Sequence, residues 1–256
     1  MKTFIVTCDK SSWILKAFAH MANKFWKQEF TVLGFSKFPE LPDNFETISM
    51  APKQETIHTW TRDIYNVIKD CKDEFVIFGL DDYLLLEKFN WWFFDEGMTL
   101  MRENKNIGRY ELGYGAHQKK NIQSINERFF KYGTEANYRI SCQMSIWRTE
   151  YLLKYLNHDW TPWQFEVLGS REANKDGYEV IGTIGEYALR TIEESALSGR
   201  HPDNINVLGL RTKYIDELVD LGYIDREKIQ YGMSKGDNPK QLDISLIGPK
   251  YRKYYD

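Results

Sequence analysis

Long apolar runs, paired cysteines and a surplus of one charge are all missing from this chain of 256 residues, and each absence removes a class of protein. The roughly 18 consecutive apolar residues of a membrane-spanning helix occur nowhere. The longest candidate, Leu84 to Phe94, is broken by Glu87, Lys88 and Asn90. Met1 to Asp9 runs straight into a β-rich apolar stretch with one lysine and no small-residue cleavage site, unlike a secretory signal. Cys8, Cys71 and Cys142 are odd in number, widely spaced and without a C-x-x-C pair, which excludes a disulfide framework and reads as reduced thiols of a cytoplasmic protein. Thirty-four Lys and Arg against 37 Asp and Glu leave a net charge of -3, excluding a dedicated polyanion binder. His20, His58, His117 and His158 show no H-x-x-x-H or Cys/His spacing, so no structural zinc site is expected. There is no G-x-x-x-x-G-K-[ST], and Gly113-Tyr-Gly115 lacks the third glycine of a dinucleotide fingerprint. Gly232-Met-Ser234-Lys-Gly236 matches G-x-S-x-G but runs into Asp237-Asn-Pro239, which opposes the helix that such an elbow needs.

What is present is an ordinary globular composition, 42% hydrophobic, 28% charged and 15% aromatic. A chain of this length buries about three quarters of its unfolded surface and needs no staple. The spacing predicts strands over Thr3–Cys8, Phe30–Phe35, Phe45–Met50, Phe75–Leu80 and Ile107–Leu112, and helices over Trp13–Trp26, Ile57–Cys71 and Phe89–Arg102. That alternation is an open α/β sheet. Beyond Gly113 it stops. Gly115–Asn126 reads as loop, Arg128–Tyr132 and Tyr138–Cys142 as paired strands, Arg148–Leu156 and Pro162–Asn174 as helices, and Tyr178–Thr183 and Tyr187–Thr191 as strands, a half expected to lay loops over the sheet. The polar stretch from Gly232 opens a C-terminal tail. Trp91 and Trp92, with Phe93 and Phe94, could suggest a carbohydrate platform, but on a periodic helix they read as core with one ring exposed.

Chemistry concentrates at three places. Phe75-Val-Ile-Phe-Gly-Leu-Asp81-Asp82-Tyr83 is a buried strand delivering two carboxylates to its carboxyl end, where open α/β sheets bind ligands. Carboxylates there hold a hard divalent cation through oxygen, although Asp also ends strands simply by favouring turns and caps. Thr7-Cys8-Asp9 would face the same crevice if the two strands are neighbours, with Asp9 bonding a base or ribose or else capping the helix that follows. The third place is Tyr138-Arg-Ile-Ser141-Cys-Gln143-Met-Ser-Ile-Trp147-Arg148, followed by Trp160-Thr-Pro-Trp163-Gln-Phe-Glu166-Val-Leu-Gly-Ser170-Arg171.

The order of these pieces, from Thr3 to about Gly209, resembles GT-A-type glycosyltransferases of bacterial surface-polysaccharide clusters and of large DNA viruses and phages. The resemblance implies a GT-A-like (Rossmann-like) three-layer α/β/α sandwich with a mostly parallel central sheet and a small added β-hairpin and helical region. It implies one domain over 1–256, with a nucleotide-sugar-binding half at 1–113, an acceptor-side half at 114–231 and a tail at 232–256. The implied activity is transfer of a sugar from a nucleotide-diphosphate sugar to a hydroxyl, using Mn²⁺ or Mg²⁺. Thr7, Cys8, Asp9, Trp60, Thr61 and Asp81 would bind the donor, and Asp82 and His201 the metal. Ser141, Gln143 and Trp163 would meet donor or acceptor sugar, and Trp147 or Trp163 would offer a stacking face. Glu166 would be the general base of an inverting transfer. Asp81 directly followed by Asp82 departs from the family's Asp-x-Asp spacing. The acceptor would be a glycan or, for a viral protein, a hydroxymethylated DNA base, with Lys119, Lys120, Arg128, Lys131 and Arg139 as the phosphate patch that the latter needs. A sugar nucleotidyltransferase ordinarily carries a Gly-rich basic loop after its first strand, whereas Asp9-Lys-Ser-Ser-Trp13 has no glycine. A non-catalytic nucleotide- or carbohydrate-binding module would have no need to keep Asp81, Asp82 and Glu166 together.

Overall fold

The central apolar runs pair within one sheet because they are too hydrophobic to be exposed on either face. A computed structural model describes residues 1–51, 56–113, 122–185, 187–189, 191–193, 214 and 216–224. Strands β1 (Thr3–Val6), β2 (Phe30–Gly34), β3 (Phe45–Ser49), β4 (Phe75–Leu80), β6 (Ile107–Glu111), β7 (Ile122–Ser124), β8 (Phe129–Tyr132), β9 (Ser145–Arg148) and β10 (Glu179–Thr183) form a nine-stranded sheet. Its order is β3-β2-β1-β4-β9-β6-β10-β8-β7. Only β8 and β9 run against the rest, so the sheet is mostly parallel. A separate antiparallel pair joins β5 (Tyr83–Leu85) to β11 (Thr191–Glu193).

Helices flank the sheet: α1 (Leu15–Phe25), α2 (Trp60–Ile68), α3 (Trp91–Glu103), α4 (Thr149–Leu156) and α5 (Pro162–Ala173). Successive strand residues point to opposite faces, and the core divides accordingly. Ile5, Val32, Ile77, Tyr110, Ile146 and Ile181 pack with α1 and α3. Phe4, Val6, Leu33, Val76, Phe78 and Trp147 pack with α2, α4 and α5. This is a three-layer α/β/α sandwich.

The elements of the first half lie where periodicity placed them, shortened at their ends; a short strand, β5, precedes α3. The second half differs. Residues 138–142 are not a strand; the strand is Ser145–Arg148, which enters the centre of the sheet between β4 and β6. Its four residues are all buried, so it shows no alternation from which sequence periodicity could be read. The polar stretch before Asn126 ends in β7, which forms a hairpin with β8 and widens the sheet. The second half thus extends the sheet rather than merely covering it. The basic patch is not assembled among the described residues: Arg139 is buried and donates to the carbonyls of Tyr132, Gly133 and Tyr178, while Lys131 pairs with Glu179. Lys119, Lys120, His117, His201 and the tail at 232–256 lie outside the described residues.

Candidate active site

Strands β1 and β4 are neighbours and parallel, with Val6 opposite Leu80, so their carboxyl ends open together. Immediately beyond, the Thr7 hydroxyl donates to Asp81 Oδ2 at 2.5 Å, and Ser11 Oγ lies 3.3 Å from the same oxygen. Asp81 is 3% exposed, a burial that a carboxylate tolerates when it is hydrogen-bonded. The Ser11 and Ser12 amides donate to the Cys8 carbonyl, turning the chain from β1 directly into the helical segment. Asp9 stands further out, accepting from the Ser36 and Lys37 amides at 2.9 Å and from the Ser36 hydroxyl at 2.5 Å. These donors, the Ser36 hydroxyl first, hold its carboxyl below the usual range. Asp9 therefore ties the loop after β2 to the end of β1.

On the other side of β4, β9 pairs antiparallel up to Phe78 opposite Ser145. Gly79 then passes so close to Met144 that a Cβ there would lie 2.7 Å from the sulfur. Residues 141–143 leave the sheet alongside Asp81 and Asp82. They meet α5, whose start is set by a capping box: Thr161 Oγ1 accepts from the Gln164 amide, the Gln164 side chain accepts from the Thr161 amide, and Pro162 occupies the first turn. Glu166, one turn in, accepts from Ser141 Oγ at 3.0 Å and from the Cys142 amide at 2.8 Å, both on Oε1. One turn later Ser170 Oγ accepts from the Ile140 amide and donates to its carbonyl, both at 3.1 Å. Helix and loop are thereby docked along one face.

The Cys142 thiol is buried. Its pKa is raised well above the ordinary thiol value by burial first, and then by Glu166 and Asp82. A neutral buried thiol is a poor nucleophile, so Cys142 packs the floor of the site. Glu166 is bonded to the Cys142 amide, and Asp82 follows the end of β4, the strand that β9 pairs with shortly after Cys142 and Gln143.

Trp60 and Thr61 are packing residues. Trp60 lies in the core with its ring 5.8 Å from Phe165 and 6.4 Å from Phe78. Thr61, fully buried, donates to the His158 carbonyl and accepts from the Trp160 amide, holding the turn before α5. Trp147 is fully buried and offers no stacking face, whereas Trp163 is 46% exposed. Gln143 is half-buried beside Ser141, to whose oxygen its amide donates. The structure thus gathers Thr7, Cys8, Asp81, Asp82, Ser141, Gln143 and Glu166, with Asp9 at the margin.

Sequence reasoning missed the support beneath them. Arg109 on β6, fully buried, donates from Nε to Ser145 Oγ at 3.0 Å and from Nη1 to the carbonyls of Tyr138 and Arg139. Ser145 in turn donates to the Gln143 carbonyl at 2.8 Å. On the same strand face, buried Glu111 accepts from the Tyr132 hydroxyl. Burial first, and then Glu111, raises the Tyr132 pKa far above the ordinary phenol range. The signal was available: Ile-Gly-Arg-Tyr-Glu puts two charges at period two on a strand too central to be solvated.

The sequence matches no protein-family profile and no curated protein. Among solved structures it is similar to CMP:2-keto-3-deoxy-manno-octonic acid synthetase complexed with CTP, at 13% identity and TM-score 0.46, over 85% of this chain and 99% of that one. It is similar to residues 1–349 of S. aureus TarS in complex with UDP, at 13% identity and TM-score 0.45, over 74% of this chain and 60% of that one. A cytidylyltransferase from Leptospira borgpetersenii serovar Hardjo-bovis (strain JB197) aligns at 12% identity and TM-score 0.44, over 90% and 96%. These likenesses carry no argument about chemistry.

Proposed function

We propose that the chain is a glycosyltransferase that moves a sugar from a nucleotide-diphosphate sugar to a hydroxyl acceptor with inversion, Glu166 being the general base. The observation that carries this reading is that Glu166 bonds Ser141 and Cys142 just before β9, which pairs with β4, the strand that runs into Asp81 and Asp82. Two carboxylates there have separate work to do. Asp82, just past the end of β4, would serve the donor's diphosphate. Glu166 is held by Ser141 and Cys142 in one orientation, as a base aimed at one hydroxyl must be.

The residues fit Mn²⁺ or Mg²⁺ in the manner of nucleotide enzymes, in which one or two carboxylates and the substrate's phosphates share the ion. Asp82 would hold it, with His201 as a further ligand. Among the described residues no group of three His, Cys, Asp or Glu side chains gathers into a closed cage, so phosphate oxygens would complete the shell. Such an ion would neutralise charge on the departing diphosphate. The chain's own part is to orient and to move one proton. Thr7, through Asp81, fixes the end of β1 against β4; Asp9 and the Ser36–Lys37 loop border the nucleoside side; Gln143 and exposed Trp163 border the sugar side. Glu166 takes the proton from the acceptor hydroxyl as its oxygen attacks the anomeric carbon and the diphosphate leaves. The acceptor is a glycan; the basic patch that a DNA acceptor needs is not assembled among the described residues.

The test is release of nucleoside diphosphate from a panel of UDP-, GDP-, CDP- and dTDP-sugars. One donor should be consumed, and Glu166→Gln should lower turnover by about two to four orders of magnitude while nucleotide affinity is kept. Turnover unchanged in Glu166→Gln would remove Glu166 as base. Pyrophosphate release from a nucleoside triphosphate and a sugar phosphate would instead show a nucleotidyltransferase.

A further inference from the structure

A cleft of about 590 Å³ opens on the α3 side of the sheet, lined by Asn90, Trp92, Phe93, Arg128, Ile184 and Gly185. It belongs to the same edge as the carboxylates. Strand β10 runs with β4, so Ile184 and Gly185, just past its carboxyl end, stand at that edge, as does Arg128, which precedes antiparallel β8. In the sheet order β10 and β8 lie three and four places from β4, roughly 14 and 19 Å at the usual strand spacing.

The lining has the composition of a saccharide site rather than of a core. Where one exposed ring was expected there are two: Trp92 is 44% exposed and its neighbour Trp91 is 51% exposed. An exposed indole beside a cavity offers a flat apolar face with a polar edge. The Arg128 guanidinium lies 4.7 Å from the Trp92 ring centre, a stacking that leaves the N–H fork to bind a carboxylate or phosphate bidentately. Arg128 is fixed at its backbone: its amide donates to Asn126 Oδ1 at 2.8 Å and its carbonyl accepts from the Ile184 amide at 2.8 Å. The Asn90 side chain makes no capping bond to α3 and lines the cleft with a further donor and acceptor. Gly185, at φ +83°, turns the chain at the wall in a conformation that a side chain resists. Arg128 is the one charged residue of the lining among the described residues.

We propose that this cleft binds an anionic saccharide, a sugar ring carrying a carboxylate or phosphate, and serves as the distal half of the acceptor site. Its acceptor role rests on the transferase reading: an oligosaccharide seated here by its charged ring would run along the carboxyl edge toward β4 and cross it to the α5 side that carries Glu166. Trp92 supplies the ring contact and Arg128 the charge contact.

The test is calorimetric titration of the full chain with trigalacturonate, glucose 6-phosphate and neutral maltotriose, repeated on Trp92→Ala and Arg128→Ala. Both side chains are exposed, so both variants should melt like the native protein. At least one anionic probe should bind, about tenfold more weakly to each variant, with maltotriose about tenfold weaker than trigalacturonate on the native chain. Failure of both anionic probes to bind, equal binding by either variant, or neutral binding as tight as charged would overturn the saccharide site. Titration of nucleoside diphosphates separates the two claims: saccharide binding at the cleft without any nucleotide binding would retain the site and overturn its acceptor role.

Discussion

Asp81 gives an oxygen to the buried Thr7 hydroxyl, whereas Asp82 is the carboxylate proposed to hold the metal, so the two neighbours should respond differently to removal. Asp81→Ala leaves a buried hydroxyl without its acceptor and should cost about 1–3 kcal/mol in a denaturant titration. Asp82→Ala should lose metal-dependent nucleotide binding. The reverse pattern would exchange their roles. Asp9 adds a pH dependence of defined sign. Because its folded pKa lies below the ordinary Asp value, its grip on Ser36 and Lys37 is fully present above the unfolded pKa and is lost as pH falls through the folded one. The Ser36 and Lys37 amide resonances should move together in that acid range and stay still near neutrality; movement near neutrality would assign them to another group.

At the scale of elements, the loop at 138–145 is shaped from below. Arg109 holds it at Tyr138, Arg139 and Ser145, and it in turn holds Glu166. Arg109→Met removes three donated bonds from the Ser145 hydroxyl and the Tyr138 and Arg139 carbonyls and should cost about 1–3 kcal/mol. Its surviving folded fraction should also show reduced turnover, with nucleotide affinity kept. Unchanged stability would mean that the loop holds itself. Helix α3 depends on close approach: a Cβ on Gly97 would fall 2.1 Å from the buried Tyr110 ring. Gly97→Ala should therefore destabilise by about 1–3 kcal/mol through overpacking, read as a lower melting temperature. Elements with a period were legible in the sequence: α1, α5 and the all-apolar β4 lie where their spacing put them. Strand β9 was not, because a strand buried on both faces between unlike neighbours carries no period, and its Trp147 and Arg148 resemble the start of the helix that follows.

Across the whole molecule, the sheet brings together residues far apart in the chain: Thr7, Asp81, Ser141 and Glu166 meet because β1, β4 and β9 are adjacent. Strand-end acids and the Ser-x-Gln segment were visible as pieces, and the crevice they form was legible once β1 and β4 were taken as neighbours. An aromatic and a hydroxyl at a helix start suit a pocket or a packed turn equally well, and the contacts to Phe165 and Trp160 place Trp60 and Thr61 in a packed turn. At the start of α3 both indoles are exposed where one was expected, while Phe93 and Phe94 are core. The central claim is that the carboxyl edge of β1 and β4 binds a nucleotide through a metal held by Asp82. Calorimetric titration with UDP, GDP, CDP and dTDP, with and without Mn²⁺, on the native chain and on Asp82→Ala, tests it most directly. The account predicts that one nucleotide binds only with metal and that Asp82→Ala abolishes this binding. Absence of binding by all four under both conditions, or binding that Asp82→Ala leaves intact, would contradict it.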